Sequence, residues 1–108
     1  MDKISVDFEA AKREAANLEE LASELDRLLR GSYQQVLQEL SWGWQGESAD
    51  AYRRKVEILQ RQIGKTAHDI RTVAGNIRNS AQKVYEAEMR AKQLAKDRSS
   101  GKVAFTLQ

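Results

Sequence analysis

The chain has 108 residues, neither proline nor cysteine, 31% charged residues and a formal net charge of +2. That length allows one domain with a thin core, and the lack of cysteine excludes disulfides and thiolate metal sites. No apolar run approaches the ~18 residues needed to cross a membrane.

Ala, Leu, Glu, Lys, Arg and Gln dominate, as in coiled-coil-like helical proteins, and without proline long helices are permitted almost everywhere. The start, Met1-Asp2-Lys3-Ile4-Ser5-Val6-Asp7, has no basic residues leading into an apolar stretch, so it does not read as a Sec signal peptide. Apolar residues then recur at Ile4, Phe8, Ala11, Ala15, Leu18, Ala22, Leu25, Leu29, Tyr33, Val36 and Leu40, in steps of three and four. This is a coiled-coil seam, and it predicts a helix over residues 7–41. Asp7 reads as its N-cap, with Glu9 and Glu14 near the positive end of the helix dipole. Leu21, Leu28 and Leu37 widen the stripe. Gly31-Ser32, inside the segment, costs ~1 kcal/mol relative to Ala and marks a bend.

Residues 42–47 form the predicted turn, with both tryptophans, Trp42 and Trp44, held within three residues. Gly43 and Gly46 allow positive φ where the chain reverses, and two indoles at the end of a thin hairpin can cap its core. A second helix is predicted over residues 48–96, with Glu47 and Ser48 as cap candidates. Its seam reads Ala49, Tyr52, Val56, Leu59, Ile63, Thr66, Ile70, Val73, Ile77, Ala81 and Val84, with Ala67 and Ala74 beside it. Arg90, Lys92, Lys96 and Arg98 suit the negative helix end.

So short a turn makes the two helices antiparallel. Pairing outward from it sets Leu40 near Tyr52, Leu29 near Ile63, and Leu18 near Val73 or Ile77. At 1.5 Å per residue the helices span about 52 Å and about 73 Å. The second is therefore expected to outrun the first, leaving residues 83–97 without an intramolecular partner. Residues 98–108 read as a flexible tail whose Val103-Ala104-Phe105 run could order on a partner. Two helices alone would leave the widened stripe wet. The expected fold class is therefore all-α, an antiparallel two-helix hairpin over residues 1–97 that dimerises into a four-helix bundle.

Charge divides between the halves, with a net of −4 over residues 1–41 and +6 over residues 47–108. An acidic helix lying against a basic one explains this best. Binding of nucleic acid or an anionic membrane by the basic helix is a weaker reading, because its cations are interleaved with acids and lack aromatic stacking partners. Catalysis is not expected. His68, the only histidine, has Gly64, Lys65, Arg71 and Thr72 as helical neighbours, which make no metal face. No phosphate loop is present, two helices form no enclosed pocket, and no cofactor is implied.

Trp44-Gln45-Gly46 near the middle of such a chain, with Leu40 before it and Ala49, Ala51 and Tyr52 after it, resembles the WXG family. These are early-secretory-antigen-like small helical proteins of type VII secretion systems. The resemblance covers about residues 4–97 and makes Trp44 and Gly46 the turn motif. It implies a hairpin that dimerises with a copy of itself, a related WXG protein, or the helical N-terminal domain of a secreted effector. It also implies delivery to a secretion ATPase, and passage from the cytoplasm to the outside or the cell surface by a Sec-independent route. Leu18, Leu25, Leu29, Val36, Leu40, Tyr52, Leu59, Ile63, Ile70 and Ile77 would form the hairpin and dimer seams. A generic coiled-coil adaptor is the alternative.

One departure concerns export. Such families commonly carry a Tyr followed four residues later by an acid, whereas Tyr85 is followed at that distance by Met89. Either Tyr85 with Glu88 is a degenerate form of that signal, both lying on one helical face, or a partner supplies it. The second reading is preferred.

Overall fold

The computed structural model describes residues 2–43 and 46–100, with only the backbone of Trp42. Its regular elements are helical: α1 (Lys3–Leu28), a π-helical turn (Leu29–Tyr33), α2 (Gln34–Gly43) and α3 (Glu47–Ser99). The chain divides into two compact units, residues 16–74 and residues 1–15 with 75–108.

In the unit of residues 16–74, α3 returns antiparallel along the end of α1 and along α2. Three contacts set the register: Arg71 with Asp26, Gly64 beside the Leu29 side chain, and Arg53 with the Leu40 carbonyl. Gly46 starts the return. Its φ of +108° is one that L side chains rarely adopt, and its carbonyl accepts from the Asp50 N–H at 3.0 Å. Gly43 is the last residue of α2. Arg53, bonded to Asp50 at 2.7 Å, also donates at 3.4 Å to the Leu40 carbonyl, one of the acceptors that a helix C-terminus leaves over.

Small side chains make the tightest contacts. Ala22, Ala49, Ala67 and Ala74 are fully buried and Val56 nearly so, while no large side chain is fully buried. Alanines let two helices approach closely, and the larger residues then spread to the flanks. The expected seam of the second helix is corrected accordingly. Its centre runs through Val56, Ile63, Ala67, Ile70 and Ala74, whereas Tyr52, Leu59 and Val73 are exposed at 48%, 47% and 49%, and Thr66 is exposed as well.

The π turn decides which residues of α2 face α3. Continuing the α1 seam of Ala15, Leu18, Ala22, Leu25 and Leu29 without interruption would bring Ser32, Val36 and Glu39 inward. One surplus residue in the π turn delays the phase by one. Tyr33, Leu37 and Leu40 are half-buried instead, and Ser32, Val36 and Glu39 are exposed. The expected bend at Gly31-Ser32 thus takes the form of this turn, and Val36 leaves the inner seam.

In the other unit, the start of α1 runs antiparallel to the last third of α3. Asp2, not Asp7, caps α1, its Oδ1 accepting from the Ser5 N–H at 2.8 Å. Its Oδ2 lies 3.0 Å from Lys92 Nζ. The earlier cap adds about a turn of helix, which corrects the expected overhang. Phe8 stacks on Tyr85 with centroids 4.5 Å apart, and Lys92 is partnered by Asp2, so residues 83–92 have intramolecular neighbours after all. At the other end α3 continues to Ser99, so the first residues of the expected tail are helical, and the rest of that expectation, residues 101–108, lies outside the described residues.

The Ser5 backbone N–H first, and then the Lys92 ammonium, hold the Asp2 carboxyl down from 3.8 to about 2. A lowered folded-state pKa stabilises the helix start above the ordinary carboxylate range, and that support is lost as pH falls towards about 2. Asp2→Ala should therefore speed amide exchange in the first turns of α1. It should also remove the part of their acid sensitivity that lies between 3.8 and about 2, read by NMR.

Candidate partner-binding surface

The two open flanks of the hairpin formed by residues 16–74 differ in chemistry. In an antiparallel pair, equivalent flanking positions of the two helices meet on the same side. One side pairs Asp26 with Arg71. On the other, Leu21 and Leu28 from α1 and Val36 from α2 share a side with Tyr52, Leu59 and Val73 from α3, and all six are exposed. Tyr33, Val36, Tyr52, Val56 and Leu59 line an open groove of ≈ 240 Å³ there. The π turn produces this continuity, because the one-residue delay moves Val36 from the inner seam to the same flank as Leu21 and Leu28. Apolar stripes of this extent on a small hairpin mark an interface, since scattered exposed residues would not fall on one side.

The remaining expected site residues divide as follows. Leu18, Leu25, Leu29, Leu40, Ile63, Ile70 and Ile77 are half-buried. Val36, Tyr52 and Leu59 belong to the open flank. Trp44 and the Trp42 side chain lie outside what is described, so the expected indole cap does too, while Gly46 has the conformation that the turn requires. Tyr85 and Glu88 both line a second groove, of ≈ 360 Å³, in the unit that holds both chain ends, and there Tyr85 is half-buried against Phe8. His68 is exposed, and no cluster of potential metal ligands occurs among the described residues. No helix among them is long and apolar enough to cross a membrane.

Sequence reasoning missed Arg53, Asp2 and Phe8 as organisers of the turn and of the helix ends. Signals for the last two exist: an Asp three residues before Ser5 at the start of a helical stretch, and a register that, extended from the turn, brings Phe8 to the level of Tyr85. Arg53 is one cation among many on α3, and nothing in the linear pattern separates it from its neighbours.

A short helical hairpin with one apolar flank and a glycine-bearing reversal belongs to the class of small helical proteins that act by packing against other helices. The WXG100 family, described as proteins of 100 residues with WXG, matches residues 3–89, and the chain belongs to it. Members of that family are small helical proteins and not enzymes, and membership suggests a small secreted protein of a type VII secretion system. No curated protein and no solved structure matches the chain.

Proposed function

We propose that this protein is a secreted substrate or effector-binding partner of a type VII secretion system, acting by docking a second helical hairpin on its apolar flank to complete a four-helix bundle. The observation that carries this reading is the flank of Leu21, Leu28, Val36, Tyr52, Leu59 and Val73, exposed on the side opposite the Asp26–Arg71 pair. A second hairpin is the shape that covers such a stripe while leaving the charged side wet. The partner is another copy, a related WXG protein, or the helical N-terminal domain of a larger effector. The protein assembles in the cytoplasm before a secretion ATPase takes the complex out by a Sec-independent route.

Trp44 and Gly46 test the secretion half of this reading. The Trp44→Ala, Gly46→Ala variant should disappear from the culture supernatant of a secreting strain and accumulate inside, while circular dichroism of the purified variant keeps its helical signal. Secretion at the unaltered level would refute a role for the turn in export and favour a generic coiled-coil adaptor. The export signal itself is assigned to the partner, because Tyr85 lacks an acid four residues on. Secretion of this chain expressed without any partner would instead assign it to Tyr85 and Glu88.

A further inference from the structure

We propose that the hairpin docking on the apolar flank is a different chain that sets a lysine or arginine against Glu24, and not a second copy, a choice that rests on that flank being the docking surface. Glu24 lies three residues after Leu21 and four before Leu28, so it stands on the α1 edge of the stripe. It is exposed, and it has no ion-pair partner among the described residues. Arg27, three residues on, is taken by Glu20 at 3.0 Å, and Arg30 falls on the opposite side, four residues after Asp26. Over α2 the same edge is again negative: Glu39, three residues after Val36, accepts from the Gln35 amide at 3.4 Å. The α3 edge holds Lys55, between Tyr52 and Leu59, and Asp69, which Lys65 binds at 2.9 Å. All of these residues belong to the unit of residues 16–74.

A second copy offers Glu24 no free cation. Two copies related by a two-fold axis can join their flanks in two ways. With both turns at one end, α1 of each copy lies along α3 of the other at the same level. The Asp26–Arg71 and Leu40–Arg53 contacts then put Glu24 within about a turn of the other copy's Asp69, whose lysine is already engaged. Lys55 is level with Glu39 in that arrangement, about 22 Å further along. With the turns at opposite ends, α1 and α2 lie along their own counterparts, and the ends of the stripe swap. Glu24 then falls within about a turn of the other copy's Glu39, while Lys55 sits across the bundle over α3. In both arrangements Glu24 meets a carboxylate, and juxtaposed like charges are how an interface rejects the wrong partner. A hairpin with a lysine or arginine at that level keeps the apolar contact and satisfies the charge.

Glu24→Lys gives the chain the cation that a second copy lacks, so this variant is the probe. Sedimentation at about 0.1 M salt should show it self-associating about tenfold more tightly than the parent, because two symmetry-related contacts change together. An equimolar mixture with the parent should fall between the two. The substitution raises the formal net charge from +2 by two, to +4, so general repulsion would act the other way. At about 0.5 M salt the difference should shrink, as screening of exposed charges requires. Adding Leu28→Glu to Glu24→Lys should abolish the assembly. Equal self-association of the parent and Glu24→Lys, lost from both with Leu28→Glu, would overturn the choice of partner and leave the flank as the docking surface. Assembly that survives Leu28→Glu would overturn the flank, and the choice of partner with it. A Glu24→Lys chain that stays monomeric at its highest soluble concentration would also overturn the proposal.

Discussion

A chain carrying Leu28→Glu and Leu59→Glu should migrate at its own mass of 12.3 kDa by light scattering, whereas the parent chain, alone or with its natural partner, gives the mass of a complex. Both leucines sit on the open flank and have no tight packing within the hairpin, so their replacement leaves the fold's own contacts nearly intact. In a bundle interface the same two carboxylates would be desolvated without counterions. A combined loss of about 4 kcal/mol corresponds to about a thousandfold in Kd, enough to dissociate a micromolar complex at ordinary working concentrations. The informative control is Ile58→Glu. Ile58 is exposed to a similar degree but on the outer face of α3, so its replacement should leave the assembly mass unchanged. If the double variant assembles as the parent does, or Ile58→Glu dissociates the complex, then the partner sits elsewhere.

The second large effect concerns the π turn. Deleting Ser32 removes the surplus residue, so that Leu29 continues in ordinary α-helical phase into Tyr33, Leu37 and Leu40. The variant should keep the same inner seam and apolar flank and melt no lower than the parent, since a π turn is a rarer and locally weaker arrangement than the α-helix that replaces it. Inserting one alanine after Ser32 does the opposite. It turns Tyr33, Leu37 and Leu40 away from α3 and draws polar residues inward. Part of the burial of three large side chains is forfeited, about 3 kcal/mol in all, with a matching fall in thermal midpoint. Equal melting of the deletion and insertion variants would show that the phase of α2 contributes nothing to the hairpin. Partner affinity should follow the same order, because Val36 stays on the flank only in the parent and deletion phases.

This turn also shows how far a linear pattern can be read. The apolar steps in the first helix alternate regularly until Leu25, Leu29 and Tyr33, where two steps of four follow each other. That irregularity coincides with the π turn, and Gly31-Ser32 marks the same place through composition. Pattern and composition locate a disturbance there. They do not say whether the helix absorbs it by kinking, by breaking or by looping out one residue, since all three interrupt the ladder at a similar position.

Two helices, a glycine-bearing reversal between them, and their antiparallel register were determined by the sequence itself. Absence of proline leaves helix as the continuous local choice, the three-and-four spacing defines an apolar stripe on each, and a short connection leaves pairing outward from the turn as the economical register. The resemblance to a helical family was legible in the same features together with Trp44-Gln45-Gly46, and the family match covers residues 3–89. Only the tertiary structure decided which residues of each stripe go inside. In α3 the apolar residues occupy two adjacent tracks, one through Tyr52, Leu59, Thr66 and Val73 and one through Val56, Ile63, Ala67, Ile70 and Ala74. Side-chain size favours Tyr52, Leu59 and Val73 of the first track over Ala67 and Ala74 of the second. Packing favours the second, because helix axes approach closest over alanine, and this leaves the larger residues on the open flank. The helix start was likewise settled in three dimensions. The linear pattern points to Asp7 as the cap, whereas Lys92, ninety residues away, joins Ser5 in holding the carboxylate of Asp2.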